Sequence, residues 1–325
     1  MTRRQATLTL VVITVLWGMN ITAVKILFGH ASPMASLTIR YLIAGLILAP
    51  SLRGVQRHEV RAGALVGGLF ALGAVLQNHG LAVTTASRQA FLLALAAVIT
   101  PGLAAVTVGH RVNRAVVARI LAATLGVYLL TSPGGRFIAL NLGDVLTLAA
   151  ALCYAGQLVA IGHYARGVSA ARLLSIQFLT TGLVALAVGP LLETARFEPS
   201  PIVGLLMVYL VITTLVTFSL QIRAQRVVSS SEAALVFTFE PVVTATTSWI
   251  LLGETLGRGQ WAGALAIMLA VGWPERWGRK QEAGSRKQEK ISAGNPRRLP
   301  AAAPPRAVPS PESPRSAPRS YSPND

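Results

Sequence analysis

A helix needs roughly 20 predominantly apolar residues to cross the hydrocarbon core of a bilayer, and such segments recur almost without a break over most of this chain. Their approximate limits are 7–28, 34–52, 62–83, 88–108, 115–132, 144–162, 172–192, 200–221, 233–252 and 260–274. Short connectors carrying Gly, Pro, Ser or Arg separate them. Open strands would leave backbone polar groups unsatisfied in lipid, so the segments read as helices. The expectation is an all-α integral membrane protein with ten transmembrane helices. Only 13% of the 325 residues are charged against 53% hydrophobic, which argues against a soluble domain.

The first segment follows Arg3 and Arg4, as in a signal peptide. It is too long for one, lacks a small-x-small cleavage site and is followed by nine similar segments, so it reads as a retained span. Cys153 is the single cysteine, which excludes an intrachain disulfide.

Basic residues set the orientation. With a cytoplasmic N-terminus, the inner termini and loops hold twelve: Arg3, Arg4, Arg53, Arg57, Arg61, Arg111, Arg114, Arg119, Arg166, Arg172, Arg223 and Arg226. The outer loops hold four: Arg88, Arg136, Arg196 and Arg258. Both termini are therefore expected in the cytoplasm. The net charge of +17 then needs no nucleic acid, since eleven of the 29 basic residues lie in a tail from Arg276 onward and most others in cytoplasmic loops. Nine of the 18 prolines fall between Pro296 and Pro323, so residues 276–325 read as a disordered basic tail that can touch anionic lipid.

The segments repeat. Shifted by 144 residues, SRQAFLLALAAVITPGLAAVTVGHRV (87–112) lies on SEAALVFTFEPVVTATTSWILLGETL (231–256) without a gap. Shifted by 137, LTIRYLIAGL (37–46) lies on LSIQFLTTGL (174–183), and Trp17 and Asn20 fall opposite Tyr154 and Gln157. Two five-helix halves follow, 1–132 and 143–275. An odd number of spans makes the second half enter from the opposite side, so the repeats are inverted, as in many transporters. The charges are not doubled: Arg40 lies opposite Gln177, Lys25 opposite Gly162, and Glu240 opposite Ala96.

Glu240 is the residue that most needs explaining, because a carboxylate deep in an apolar segment is costly and usually marks a substrate, ion or proton pathway. The competing reading is a buried structural ion pair. Pro241 removes a backbone donor beside it, and Pro101 interrupts the fourth segment, so both are expected helix breaks. Thr244, Thr247 and Ser248 continue one polar stripe from Glu240. Arg40 is too deep for a headgroup anchor; it pairs with Glu240 or holds an anionic substrate group. Lys25 lies nearer the surface; it either joins the substrate or coupling site or snorkels to the interface. Trp17, Asn20, Tyr154, Gln157 and Gln221, with Gln77, Asn78, His79, Thr214 and Thr217, either contact substrate or bond neighbouring helices.

These stretches resemble a known family. LWGMNITAVK (16–25), IRYLIAG (39–45), HGLAVTTASRQAFL (79–92), FTFEPVVTATTSWILLGETL (237–256) and the glycine-bearing last helix are similar to the drug/metabolite transporter superfamily, in particular bacterial proteins with two EamA-type halves. The resemblance implies ten helices and passage of small metabolites through a central cavity. The family's Trp-Gly-x-Asn pattern matches Trp17, Gly18 and Asn20, its Arg-aromatic pattern matches Arg40 and Tyr41, and its Glu-Pro-Val pattern matches Glu240, Pro241 and Val242. One departure stands out: Gly109-His110 occupies the position where the family commonly has Gly-Glu, as at Gly253-Glu254.

The expected function is thus secondary transport of small metabolites, amino acids or related compounds, in the export direction and with proton coupling through Glu240. The expected site is the bacterial inner membrane. A membrane-embedded sensor or scaffold is the alternative, though no soluble domain is evident. An intramembrane enzyme would need converging catalytic groups, and the five histidines are scattered, with no nucleotide-binding loop or metal motif. The expected partners are a small-molecule substrate and membrane lipid, with a homodimer left open and no cofactor.

Overall fold

The computed structural model describes residues 1–108, 121–122, 125–126, 129, 140–164, 168–228, 230–237 and 239–272. Most of the fifth apolar segment, Gly109-His110, Arg111, Arg114, Arg119, Arg136, Arg166 and the tail from 276 lie outside the described residues. Within them the chain is helical, and its sole pairing of extended backbone is an isolated bridge between Ala31 and Phe197.

Eleven α-helices are described. They are α1 (Arg3–Leu27), α2 (Pro33–Leu48), α3 (Arg57–Ala82), α4 (Ala86–Leu93), α5 (Ala96–Val108), α6 (Leu142–Tyr164), α7 (Ala170–Leu192), α8 (Pro201–Gln225), α9 (Ser230–Phe237), α10 (Glu240–Leu252) and α11 (Arg258–Gly272). Seven spans among the described residues are long and apolar enough to cross a membrane, the fourth running from α4 into α5. The sequence supplies the ends. Thr2 and Gln5 form a capping box on α1, and Ser200 accepts from the Val203 amide ahead of Pro201 on α8.

Two segments expected as single helices are broken. The ninth stops at Phe237 and restarts at Glu240, with Pro241 in its first turn, where the missing N–H is tolerated. The fourth stops at Leu93 and restarts at Ala96. Its break is not at Pro101, which sits inside α5. Instead Ala97 and Val98 donate to the carbonyls of Ala94 and Leu95, three residues back, and this tightened turn redirects the chain. Phe237 and Glu240 lie 144 residues after Leu93 and Ala96, the same shift that aligns the sequence.

The helices pack through close crossings. On α2 and α7, a Cβ on Gly45 would meet the Leu179 side chain at 2.8 Å, and one on Gly182 would meet Leu42 at 2.7 Å. The pairing is reciprocal and antiparallel, and Gly45 and Leu42 are the residues that a shift of 137 places on Gly182 and Leu179. Further contacts join α3 to α6 and α7, and α1 to α8 and α10. The bundle interior holds a connected run of aromatic rings. Trp17 meets Phe237 and Phe218 at 4.8 and 5.4 Å, Phe218 meets Phe70 at 5.0 Å, and Phe70 meets Tyr41 and Tyr154 at 5.4 and 5.6 Å.

Candidate functional site

A cavity of about 150 Å³ opens inside the bundle beside the two helix breaks. It is roughly ten times the space that admits one water. Leu93, Ala94, Ala96 and Ala97 from the first break border it, as do Phe237, Glu240 and Pro241 from the second. Trp17, Asn20, Arg40, Tyr154, Gln157 and Gln221 complete its polar lining, together with Gln77 and Asn78. Residues scattered over more than two hundred positions of sequence are thus brought to one wall.

Glu240 is the first residue of α10, so its carboxylate lies at a helix N-terminus, where the helix dipole favours negative charge, although the Val242 and Val243 amides are already turned to the Phe239 carbonyl. It is half-buried and borders the cavity. Gly18 explains part of the Trp-Gly-x-Asn pattern. A Cβ there would come within 3.0 Å of the Glu240 carbonyl and 2.7 Å of Val243, so only glycine lets α1 approach the start of α10. The Thr244 hydroxyl donates at 3.1 Å to the carbonyls of Gly18 and Glu240. Thr247 meets Thr22 at 2.8 Å and Ser248 meets Ser87 at 3.0 Å. The expected polar stripe below Glu240 therefore fastens α10 to α1 and α4 and does not line the cavity.

Arg40 donates from Nε to the Thr214 hydroxyl at 2.6 Å, and its guanidinium carbon is 5.2 Å from the Tyr41 ring centroid. Thr214 donates onward to the Leu210 carbonyl at 2.6 Å, so its lone pairs are turned to Arg40. Thr217 treats Trp17 in the same way, accepting from the indole at 2.9 Å and donating to the Thr213 carbonyl at 2.7 Å. One face of α8 thus orients both the cation and the large ring. Neither Arg40 nor Glu240 makes an ion pair among the described residues, so of the two readings of Arg40 the pairing with Glu240 is not seen.

The amides are the second feature. Asn20 accepts from Thr213 at 3.1 Å, yet its Nδ2 has no partner, and the same holds for Gln157 Nε2 and both polar atoms of Gln221. All three side chains are at least nine-tenths buried. Buried polar groups are normally satisfied, so these covered but unpaired amide atoms of cavity-lining residues are available to a polar ligand only if the side chains turn toward the cavity. Tyr154 donates to Gln77 Oε1 and closes that side.

Lys25 is the site candidate that the structure places elsewhere. Its ammonium donates to the carbonyls of Leu81 and Thr84 at 2.7 and 2.8 Å, closing the C-terminal end of α3. A long cation one turn from a helix end reaches the nearest unpaired carbonyls; Leu81 borders the cavity, but Lys25 itself does not. The sequence reading passed over the hydrophobic walls Phe70, Phe218 and Phe237, which nothing local distinguishes from core residues. It also missed the buried pair of Arg88 with Asp144 and the bonds of Glu254 to the start of α4. An acid at the head of an apolar segment was the available signal for Asp144.

A multi-pass membrane bundle, helical over its described residues and enclosing a solute-sized cavity with apolar walls and a few polar groups beside helix breaks, has the architecture of a membrane transporter. The comparisons agree: residues 5–132 and again 141–273 match the EamA-like transporter family. The chain belongs to that family, within the drug/metabolite transporter superfamily. It is 30% identical over 270 residues to an uncharacterized transporter of Archaeoglobus fulgidus, covering 83% of this chain and 85% of that protein. It is 28% identical over 291 residues to a "probable amino-acid metabolite efflux pump" of Salmonella typhimurium, covering 83% of this chain and 94% of that one. A solved crystal structure shares the fold with a TM-score of 0.63 at 18% identity, over 86% of this chain and all of that one.

Proposed function

We propose that this transporter exports amino acids or closely related zwitterionic metabolites across the bacterial inner membrane, driven by protons. The observation that carries the reading is the presence of Arg40 and Glu240 on one cavity without an ion pair between them. A planar guanidinium takes a substrate carboxylate, a carboxylate takes an ammonium, and the unpaired amides of Asn20, Gln157 and Gln221, turned toward the cavity, receive the remaining polar edges. The aromatic walls accept an apolar side chain. The name of the Salmonella relative points to the same solute class and to efflux.

Alternating access is attributed to two inverted five-helix halves, 1–132 and 143–275, with both termini and the tail 276–325 in the cytoplasm. The reciprocal, antiparallel contact of Gly45 with Leu179 and Gly182 with Leu42 supports an axis relating the halves, as do helix breaks 144 residues apart. Proton coupling is assigned to Glu240, whose carboxylate takes up a proton in one facing state and releases it in the other.

Counterflow tests the solute class. Proteoliposomes loaded with a neutral amino acid should exchange the labelled compound, while its deaminated acid and decarboxylated amine should fail to compete. Equal competition by either analogue would rule out two-point recognition.

A further inference from the structure

The short helix α4 has eight residues and two unlike ends. Its C-terminal end supplies Ala90, Leu93 and Ala94 to the cavity wall. Its N-terminal end is tied to three other elements. Gly253, at φ +66°, ends α10 in the left-handed conformation, and the chain turns back to bring Glu254 onto the start of α4. The Glu254 carboxylate accepts from the Ala86 amide at 2.9 Å, the Ser87 amide at 3.0 Å and the Ser87 hydroxyl at 2.9 Å. Ser87 also meets Ser248 of α10 at 3.0 Å. Arg88 pairs with the fully buried Asp144 of α6. Lys25 of α1 holds the α3–α4 connection through the Leu81 and Thr84 carbonyls.

We propose that Glu254 is a positioning residue that latches α4 across the cavity at the end of the bundle where α1 and α3 finish, and that releasing this latch opens the cavity there. The break after Leu93 lets α4 tilt without carrying α5 with it. The joint is polar and Glu254 is half-buried, so water can replace its three bonds when α4 leaves; an apolar joint has no such exchange. Arg88 and Asp144 form the stiffer side of the joint, since parting them would leave a charge buried alone. This gives the Gly-Glu pair a task. Gly253 sets the turn, and Glu254 reaches the other half of the molecule.

The latch rests on the alternating-access reading, so its test is read without substrate. In a Cys153→Ser background, Ala90→Cys reports on the cavity face of α4, where Ala90 is 2% exposed. Alkylation by a charged maleimide in lipid nanodiscs should be about tenfold faster or more with Glu254→Ala, the population shift available from one lost charge-assisted bond. Glu254→Asp should restore the slow rate in part. An unchanged rate in a monodisperse Glu254→Ala protein would overturn the latch, whatever the transport assays give. A second variant covers the case in which Glu254→Ala does not fold. Ser87→Cys with Ser248→Cys, oxidised to a disulfide, should block amino-acid counterflow, and reduction should restore it. Full counterflow in the oxidised protein would show that this joint need not open.

Discussion

Arg40 and Glu240 border the same cavity without pairing, Arg40 of α2 being held by Thr214 on the neighbouring α8 and Glu240 standing at the head of α10. On the proposed function, a solute that bridges the two groups gains from both, and a zwitterion is expected to be favoured over either of its singly charged analogues. It also follows that the two residues act as a unit, and that removing one leaves the other charge facing a solute that no longer matches.

Arg40→Gln should raise the KM for a neutral amino acid by about tenfold to a hundredfold, consistent with about 1.5–3 kcal/mol for a hydrogen bond to a charged group. Arg40→Lys should recover only part of this, because an ammonium lacks the planar fork. Counterflow KM values in proteoliposomes decide it, and equal KM for the wild type and Arg40→Gln would remove Arg40 from the site.

Thr214→Val keeps the shape and deletes the hydroxyl that orients Arg40. A loss of about 1–3 kcal/mol is expected when a buried partner is left unsatisfied. The change should appear mainly in KM, with the thermal midpoint in detergent little moved. Thr217→Val should act likewise through Trp17. A falling midpoint with unchanged KM would make both hydroxyls structural.

Gly45→Val places a branched side chain against Leu179 at a crossing where even a Cβ is 2.8 Å away. Overpacking of this kind costs about 1–3 kcal/mol. The thermal midpoint should fall, and Leu179→Ala should recover part of the loss. Gly182→Val with Leu42→Ala should behave as the mirror case. Unequal responses of the two pairs would weaken the idea of an axis between them.

The helical membrane class and the polar lining were legible because both rest on composition at fixed spacing. Long apolar runs reveal spans, and Arg40, Trp17, Asn20 and Glu240 stand out as polar or bulky residues within them. The break at Ala94–Leu95 was not legible: no glycine or proline marks it, and Pro101 drew attention to the wrong turn. Only the 144-residue repeat, carrying the Pro241 break back onto the first half, contained that information. Lys25 was misread because a snorkelling lysine and one that caps a neighbouring helix have the same local sequence. What separates them is the position of the Leu81 and Thr84 carbonyls, which belongs to the tertiary structure.

Lys25→Met should lower the thermal midpoint, since it strips the α3 end of its cation, and should leave the KM of a neutral amino acid near the wild-type value. A large rise in KM at unchanged stability would return Lys25 to the substrate site.

Efflux of a labelled neutral amino acid from proteoliposomes, under an imposed pH gradient, tests the central claim most directly when wild type is compared with Glu240→Gln. The expected result is acceleration by the gradient in the wild type and none in Glu240→Gln at saturating substrate, with the counterflow KM of Glu240→Gln raised as in Arg40→Gln. Equal acceleration in both proteins would contradict the assignment of the proton to Glu240.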